Sequence, residues 1–318
     1  MLIAVIFLLY GPFTYFRDEL VTKAMGTMTH QWIASFLFDQ DSIAASLARN
    51  KTIESGSDTD PNEIKTGGIN IKDNATALPD SPSDGERIID GVGFIRLKGS
   101  TYDGWAVKVY DPSRVYMQLA KGIGEQGERI SSMCKRMNAF VGINAGGFAD
   151  IGGQGTGGLP TGVCIVDGQM ITTDDSSGMH NIIAFDRNNK LILGRYTFKQ
   201  IKAMKFKDAL EFRPFLIVNG VRSKIVGNGG YGTDPRTAIG QTKNGVLVFI
   251  VINGRRVNSV GATIKDLQDL MAKFGAVNAA NLDGGSSSTL VYKGSVINNP
   301  SSKGGERYVP NAFLINWK

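Results

Sequence analysis

The sequence predicts an α+β fold, in which a large mixed and mostly antiparallel sheet is flanked by a few helices within a single globular domain. From about Ile88 onward, short apolar segments alternate with Gly, Asn and Asp turns, which is typical of β-rich chains. The run Val246–Ile252 is apolar throughout and therefore indicates a central strand buried on both faces. Helical spacing of apolar residues is confined to a few segments, of which Thr263–Phe274 is the clearest.

Several β-hairpins are indicated by turn residues between apolar segments. In Cys164–Ile171, the dipeptide Asp167-Gly168 can supply the positive φ angles of a tight turn. Val291–Ile297 has the same organisation around Lys-Gly, and Lys243–Gly245 provides a turn before the central strand. These turns indicate antiparallel pairing between neighbouring strands.

The predicted helices have recognisable ends. Thr263 is a plausible N-cap, Asp266 has the spacing of a capping-box acid, and Gly275 ends the helix. A second helix is expected from Glu128 to Met137. The apolar face of the first helix consists of Ile264, Leu267, Met271 and Phe274.

The N-terminal region differs in composition from the rest of the chain. Residues 1–10 are uncharged, but such a run is shorter than the roughly 20 residues of a spanning helix and lacks the basic leader of a signal peptide. It is either an uncleaved signal-anchor whose start codon lies further upstream, or the first strand or helix of a core. Residues 51–86 are rich in Ser, Asp, Pro, Gly and Thr, which favours the anchor because such a segment buries little apolar surface. We therefore expect a membrane anchor at 1–25, a stalk or linker at 26–86, and an extracytoplasmic domain at 87–318.

Composition excludes several classes of protein. The net charge is +6, but no dense Lys/Arg face with interleaved aromatic residues is visible, so nucleic-acid binding is disfavoured. Two histidines, His30 and His180, are too few for a zinc cluster or a Ser-His-Asp triad, and His180 is expected to be a surface or strand-end residue. Cys134 and Cys164 are compatible with one disulfide or with two buried thiols.

Four loops rich in Gly and polar residues follow or precede predicted strands. The first, Gly142–Asp150, offers the polar side chains of Asn144 and Asp150, and Gly146 and Gly147 allow the backbone to approach a ligand closely. The alternative is a tight turn with a capping Asn. The glycines do not form a dinucleotide-binding fingerprint.

Two further loops contain arginines. Arg236 in Thr233–Gln241 follows a proline that holds the chain extended, so its guanidinium could grip a phosphate with two hydrogen bonds, or form a structural salt bridge. In Gly304–Ala312, the neighbours Glu306 and Arg307 would point to opposite faces of a strand but could both reach one pocket from a loop. A solvent-exposed charge pair is the alternative there.

The remaining loop, Asn278–Thr289, places Asp283 before a Gly-Gly-Ser-Ser-Ser turn. The backbone amides of Gly284 and Gly285 and the hydroxyl of Ser286 are suited to bind an oxyanion or phosphate. Asp283 could act as general acid, general base or cation ligand, or simply stabilise the turn. A divalent cation such as calcium would fit a cation-ligand role, so the metal requirement stays open.

Together, these loops indicate a site with two arginines, two carboxylates and backbone donors. Arginines suit a phosphodiester anion, and a carboxyl pair suits glycosidic hydrolysis. Because phosphate is already a fair leaving group, electrostatic clamping should matter more than its protonation.

Four motifs, in order and spacing, resemble the phosphodiester glycosidase family, and in particular its membrane-anchored bacterial members, which are often described as exopolysaccharide biosynthesis proteins. The resemblance covers about Gly91 to the C-terminus and implies hydrolysis of a sugar-1-phosphodiester to free sugar and a phosphomonoester, in the processing of glycans or of phosphate-containing surface polymers. The motifs are Gly142–Phe148, Asp234–Gly240, Ile252–Arg255 and Asn281–Ser288.

The resemblance also implies which residues form the pocket. We expect Arg236 and Arg307 to clamp the phosphate, Asp283 to be acid/base or nucleophile, and Glu306 to be its partner. The chain departs from the family at Asp234, where many members have His or a small residue. It also has Ala149 where Gly-Phe-Phe is usual, which could reshape the sugar pocket. The expected substrate-binding residues are Asn144, Gly146, Gly147, Asp150, Thr237, Gly284, Gly285 and Ser286.

Two other functions are compatible with the sequence. A phosphodiesterase that cuts a P–O bond would need metal clusters rich in His and Asp, and two histidines argue against it. A non-catalytic exopolysaccharide-binding or assembly protein could keep the fold and lose turnover. The presence of both arginines and both carboxylates argues against this alternative.

Overall fold

The computed structural model describes residues 7–27, 30–149, 155–173 and 178–318. The helices are α1 (Tyr15–Met25), α2 (Gln31–Leu37), α3 (Gln40–Arg49), α4 (Ile130–Met137), α5 (Phe198–Met204) and α6 (Ile264–Lys273). The first strands are β1 (Lys51–Ile53), β2 (Arg87–Ile89), β3 (Val92–Lys98), β4 (Asp103–Val109), β5 (Val115–Leu119), β6 (Val141–Asn144), β7 (Cys164–Val166), β8 (Gln169–Thr172), β9 (His180–Phe185) and β10 (Leu191–Tyr196). The later strands are β11 (Asp208–Glu211), β12 (Phe215–Val218), β13 (Val221–Arg222), β14 (Lys224–Val226), β15 (Arg236–Thr242), β16 (Leu247–Ile252), β17 (Ala276–Leu282), β18 (Leu290–Tyr292), β19 (Ser295–Val296) and β20 (Asn311–Ile315).

The strands form several sheets rather than the one large sheet that the sequence suggested. An eight-stranded sheet has the order β13-β12-β17-β15-β16-β4-β3-β2. One five-stranded sheet has the order β19-β18-β6-β20-β5, a second has β10-β9-β11-β7-β8, and β1 pairs with β14. The fold class is confirmed as α+β with antiparallel sheets.

The main core lies between the three larger sheets. Phe249 of β16, Phe313 of β20 and Phe185 of β9 come from different sheets and are buried in one cluster. The ring of Phe313 lies 5.7 Å from that of Phe249 and 5.8 Å from that of Phe185, within the usual range for packed aromatic rings. Each sheet therefore buries a face against the others.

The strand predicted to be central is indeed buried on both faces. Every residue of β16 is buried, and the strand pairs with β15 on one side and β4 on the other. Gly245 has φ +86°, so the predicted turn at Lys243–Gly245 needs its glycine. The hairpin turn after β7 is also confirmed, with Asp167 at φ 49° and Gly168 at φ 75°.

Helix α6 begins and ends as predicted. The Thr263 hydroxyl accepts a hydrogen bond from the Asp266 backbone N–H at 3.1 Å, and the Asp266 carboxylate accepts one from the Thr263 N–H at 2.9 Å. Gly275, at φ 77°, follows the helix. Helix α4 begins two residues later than expected, because Glu128 pairs with Val309 in an isolated β-bridge.

The N-terminal helices pack around a small cluster of their own. Its buried residues are Val21 and Ala24 of α1, Ala34 of α2, Phe38, and Ile43 of α3. None of the helices in the described part of the chain combines the length and hydrophobicity that crossing a bilayer requires.

Much of the segment 26–86, which the sequence suggested to be a stalk, lies against the domain. Strand β1 pairs with β14, and the Glu54 carboxylate accepts hydrogen bonds from the Phe215 N–H and the Asn181 amide, each at 2.9 Å. The Thr59 hydroxyl accepts a hydrogen bond from the Leu193 N–H at 2.9 Å. This polar segment buries little apolar surface, but its side chains attach it to the domain by hydrogen bonds. The amino-acid composition of the segment does not reveal such hydrogen bonds.

Neither cysteine forms a disulfide. Cys134 and Cys164 are free and buried in different clusters, and burial raises the pKa of each thiol to about 12. His180 begins β9 and is buried rather than exposed, with Nδ1 3.1 Å from a carboxylate oxygen of Glu211.

Candidate active site

An open cleft of about 260 Å³ lies where the eight-stranded sheet meets a five-stranded sheet. Its walls include the residue that follows β17, the start of β15, the loop after β6 and the end of α1. Its charged lining residues in the described ranges are Lys23, Asp234, Arg236, Arg255, Asp283 and Arg307.

Asp283 directly follows β17 and lines the cleft. Its backbone N–H donates to the Ala145 carbonyl at 3.1 Å, so the ends of β17 and β6 lie side by side. Burial raises the pKa of its carboxyl to about 6, although the Ser287 side chain, Arg307 and the Gly284 N–H favour the ionised form and oppose this rise. A carboxyl group with such a pKa can take or give a proton near neutral pH.

Arg307 approaches the same cleft from the loop before β20. Its Nη1 donates to the Ser286 hydroxyl at 3.0 Å, and its guanidinium lies 4.6 Å from the ring centroid of Phe148. The stacked guanidinium thus lies in the same cleft as Asp283, and its phosphate-binding role stays a prediction.

Arg236 lines the cleft but is more constrained than expected. Its Nε donates to the Ala262 carbonyl at 3.0 Å, and its Nη2 donates to the carbonyls of Tyr231 and Gly232 at 2.9 and 2.6 Å. Burial lowers the pKa of the guanidinium, yet an arginine stays charged. We expected Arg236 to hold a phosphate through two of its nitrogens, and this geometry is wrong. The three hydrogen bonds to backbone carbonyls use Nε and Nη2, so Nη1 is the nitrogen that could face an anion.

Asp234 and Arg255, which we did not place in the site from sequence, form an ion pair in the cleft wall. Arg255 Nε and Nη2 lie 3.0 and 3.2 Å from the two carboxylate oxygens of Asp234. The pair explains how the chain accommodates an aspartate before Pro-Arg. The signal available in the sequence was the resemblance motif that ends at Arg255.

Asn144 and Thr237 hold the site together and do not line the cleft. The fully buried Asn144 donates from Nδ2 to the Asp283 carbonyl at 2.6 Å, and its Oδ1 accepts from the Thr237 hydroxyl at 2.8 Å and the Thr289 N–H at 3.1 Å. The expected direct contact of these two residues with substrate is therefore wrong. They instead connect β6, β15 and the Asp283 loop.

The predicted glycines are divided between the cleft and the core. Gly147, Gly284 and Gly285 line the cleft, whereas Gly146 is buried and donates its N–H to Asn311 Oδ1 at 2.8 Å. The Gly285 N–H donates to the Pro235 carbonyl at 2.9 Å, so it does not serve as the anion donor that we expected. Ser286 lines the cleft as predicted.

Glu306 is not brought into the cleft. Its carboxylate accepts hydrogen bonds from the backbone N–H and the hydroxyl of Ser131 in the first turn of α4. From this loop, Arg307 reaches the cleft while Glu306 turns towards the helix. The prediction of Glu306 as the catalytic partner is wrong on this geometry.

The remaining expectations concern Asp150 and metals. Asp150 lies outside the described residues. Within the part of the chain that the structure describes, no three His, Cys, Asp or Glu side chains cluster as a metal site would require. Sequence reasoning also missed the cleft aromatics Phe148, Phe212 and Tyr231, which lie far apart in the chain.

The family's sequence model, described as phosphodiester glycosidase, matches residues 137–316, more than half of the chain. The chain belongs to the phosphodiester glycosidase family. The matched segment contains Arg236, Asp283 and Arg307, and the resemblance inferred from the motifs is confirmed.

Two curated relatives are similar to parts of this phosphodiester glycosidase family member. The chain is 31% identical over 198 residues to the SPbeta prophage-derived uncharacterized protein YomE of Bacillus subtilis (strain 168), covering 60% of this chain and 30% of that protein. It is 36% identical over 66 residues to N-acetylglucosamine-1-phosphodiester alpha-N-acetylglucosaminidase of Bos taurus, covering 21% of this chain and 12% of that protein. The chain thus spans less than a third of the length of these curated relatives.

A solved structure shares the fold. The catalytic domain of zebrafish N-acetylglucosamine-1-phosphodiester alpha-N-acetylglucosaminidase, described as auto-inhibited by its pro-peptide, superposes with a TM-score of 0.58 at 22% identity. The match covers 71% of this chain and 82% of that chain.

Proposed function

We propose that this protein hydrolyses a sugar-1-phosphodiester, releasing free sugar and a phosphomonoester. The observation that carries the proposal is the cleft in which Asp283 lies beside Arg307, with the Arg236 and Arg255 guanidinium groups in the same walls. Guanidinium groups suit the anionic phosphodiester, and the aromatic side chains of Phe148 and Phe212 offer apolar surface to a sugar ring.

In this reaction, the bond between the anomeric carbon and the phosphate oxygen breaks, and its electron pair stays with the phosphate. Water supplies the oxygen of the free sugar and loses one proton. As general base, Asp283 takes that proton. As nucleophile, it attacks the anomeric carbon first, and water then breaks the resulting glycosyl ester, freeing the carboxylate and giving its proton to the phosphomonoester or to solvent. Both roles need the ionised form of Asp283. The arginines stabilise the additional negative charge that develops on the departing phosphomonoester.

The pH dependence follows from the pKa of Asp283. Since the pKa is raised to about 6, the carboxyl is mostly protonated and inactive below that pH, so kcat/KM should rise as the pH increases through about 6. A profile that instead falls above pH 6 would assign Asp283 the role of general acid.

The decisive test is hydrolysis of a panel of hexose and N-acetylhexosamine 1-(methyl phosphate) diesters, with UDP-sugars alongside, in H₂¹⁸O. Incorporation of ¹⁸O into the sugar, lost in Asp283→Asn, supports the proposal. Incorporation into the phosphate would indicate a phosphodiesterase, and binding of the diesters without turnover would indicate a glycan-binding or assembly protein. Asp269→Asn, on the exposed face of α6, is the matched control and should keep full activity.

We also propose that the N-terminal region contacts a membrane and keeps the catalytic domain on the extracytoplasmic side, near surface glycans that contain phosphate. Residues 1–16 contain no charged side chain. Aromatic side chains on this region are exposed, with Trp32 at 64% and Phe36 at 81%, and such residues favour membrane interfaces.

Binding to vesicles of phosphatidylglycerol and phosphatidylcholine tests the membrane proposal. The double variant Trp32→Ser/Phe36→Ser should bind several-fold more weakly, whereas Val257→Ser, at a fully exposed apolar residue outside the N-terminal helices, should bind as the parent does. Equal binding by all three proteins would contradict the proposal. Protease treatment of intact cells should degrade the domain if it faces outwards.

A further inference from the structure

Helix α1 is attached to the loop 227–233, which forms most of the connection between β14 and β15. One Glu19 carboxylate oxygen accepts a hydrogen bond from the Thr233 N–H at 2.6 Å, and the other accepts one from the Asn228 side-chain amide at 3.2 Å. The same Asn228 amide donates to the Thr22 hydroxyl at 2.9 Å. Lys23 lies 3.1 Å from Glu19 and completes this group. The first part of the loop is also held by Asn50 and Thr52, whose side chains bind the Asn228 N–H and the Gly229 carbonyl, each at 3.0 Å. The Thr233 N–H, next to the Arg236 acceptors, is held by Glu19.

The other side of this loop holds Arg236. The carbonyls of Tyr231 and Gly232 accept two of the three hydrogen bonds that the Arg236 guanidinium makes to the backbone, at 2.9 and 2.6 Å. The third acceptor, the Ala262 carbonyl, lies outside the loop. The orientation of the guanidinium in the cleft therefore depends on where the loop carbonyls are held.

The end of α1 also forms part of the cleft wall. Lys23 and Thr27 line the cleft. The stem of Lys23 lies so close over Gly232 that a Cβ at that glycine would be 2.6 Å from Lys23 Cγ. The helix thus packs directly against the loop that carries the Arg236 acceptors.

From these contacts we infer that Glu19 is a positioning residue of the active site, which acts on an anionic phosphoryl group through the loop 227–233 and Arg236. This inference rests on the function proposed above. If Glu19 has this role, helix α1 is needed for full activity, although it lies outside the segment 137–316 that matches the family model. Loss of the Glu19 carboxylate should release the Thr233 N–H and let the carbonyls of the loop move away from the guanidinium.

The probe for this inference is inorganic phosphate, whose binding to the full chain is measured by isothermal titration calorimetry. Glu19→Ala should weaken phosphate binding about tenfold or more, because the anchoring acceptor is lost. Glu19→Gln keeps one oxygen acceptor for the Thr233 N–H and should restore most of the affinity. In the Arg236→Lys background, Glu19→Ala should have little further effect, since both changes act on the same interaction.

Asp18 provides the matched control on the same helix. Its carboxylate binds the Arg49 guanidinium of α3 at 2.7 and 3.1 Å. Asp18→Ala should therefore loosen the helices and lower the melting temperature without changing phosphate affinity. If Asp18→Ala weakens phosphate binding as much as Glu19→Ala does, the effect is general loosening and the inference is overturned.

Other outcomes separate this inference from the proposed function. Unchanged phosphate affinity in a folded Glu19→Ala protein would overturn the role of Glu19 and leave the glycosidase proposal standing. Tighter binding or faster diester hydrolysis in Glu19→Ala would mean that α1 obstructs the cleft, which also overturns the inference. If the unaltered protein binds no phosphate and hydrolyses no diester, the proposed function itself fails.

Discussion

The Asp283 carboxylate should make the folded protein less stable at neutral pH than the isosteric variant Asp283→Asn. Burial raises the pKa of this carboxyl from 3.8 to about 6, which means that the folded protein resists its ionisation. One pKa unit corresponds to about 1.4 kcal/mol, so the cost of ionising Asp283 in the folded state approaches about 3 kcal/mol. This value is an upper limit, because the side chain is partly exposed to the cleft.

The sign of the pH dependence follows from linkage. Below pH 3.8 the carboxyl is protonated in the folded and the unfolded chain, and its full contribution to stability is present. Between pH 3.8 and about 6 the unfolded chain loses the proton first, so stability falls as the pH rises, and above pH 6 the loss is complete. Asparagine does not ionise, so Asp283→Asn avoids this loss of stability. The variant should therefore gain stability over the parent as the pH rises from 3.8 to about 6, and keep the full gain at higher pH.

Urea unfolding of the parent and of Asp283→Asn at pH 4 and pH 7.5 measures the effect. We expect the stability of the variant, relative to the parent, to increase by up to about 3 kcal/mol between the two pH values. Asp269→Asn, at an exposed carboxylate outside the cleft with 47% of its side chain accessible, is the matched control. A relative stability of Asp283→Asn that is the same at both pH values would refute the reasoning, because it would mean that burial does not penalise the charge.

Further predictions concern the other residues around the cleft. Arg236→Ala should lower the free energy of unfolding by at least about 2 kcal/mol in urea titrations, since three backbone carbonyls lose their donor. Asn144→Ala should cost about 2–4 kcal/mol and reduce kcat, because its amide connects Thr237 and Thr289 to the Asp283 loop. Glu306→Gln should keep kcat within a few-fold and cost no more than about 1 kcal/mol, whereas a collapse of kcat would restore Glu306 to the catalytic group. The two buried cysteines should react with a thiol reagent only after the protein is denatured.

Features that depend on near neighbours in sequence were predictable. The capping box of α6 joins Thr263 and Asp266, which lie three residues apart, and its geometry is set by the helix itself. The turn at Asp167-Gly168 likewise needs only two residues with positive φ. The central position of β16 followed from its uninterrupted apolar composition, because such a strand has no face to offer to water.

Features that depend on distant segments were not predictable to the same extent. On a strand, alternation would direct Glu306 and Arg307 to opposite faces, but it does not say which of them would face the cleft, and both lie in a loop. That choice depends on α4, whose first turn lies some 175 residues earlier in the chain and binds the Glu306 carboxylate. The contribution of Lys23 to the cleft similarly depends on α1 packing against Gly232, for which no local pattern exists.

The placement of Asn144 suggests why the site lies at a junction between sheets. Asn144 ends β6 of one sheet, whereas Thr237 and Asp283 belong to or follow strands of the eight-stranded sheet. Two hydrogen bonds of this fully buried amide, to the Asp283 carbonyl and from the Thr237 hydroxyl, therefore join the two sheets at the point where Asp283 enters the cleft. The third, from the Thr289 N–H, lies within the five-stranded sheet. Because a buried amide that loses these partners suffers a large desolvation cost, the two sheets cannot separate there without losing stability. The backbone of Asp283 is thus held at the edge of both sheets by a side chain that must both donate and accept, as the amide of Asn144 does.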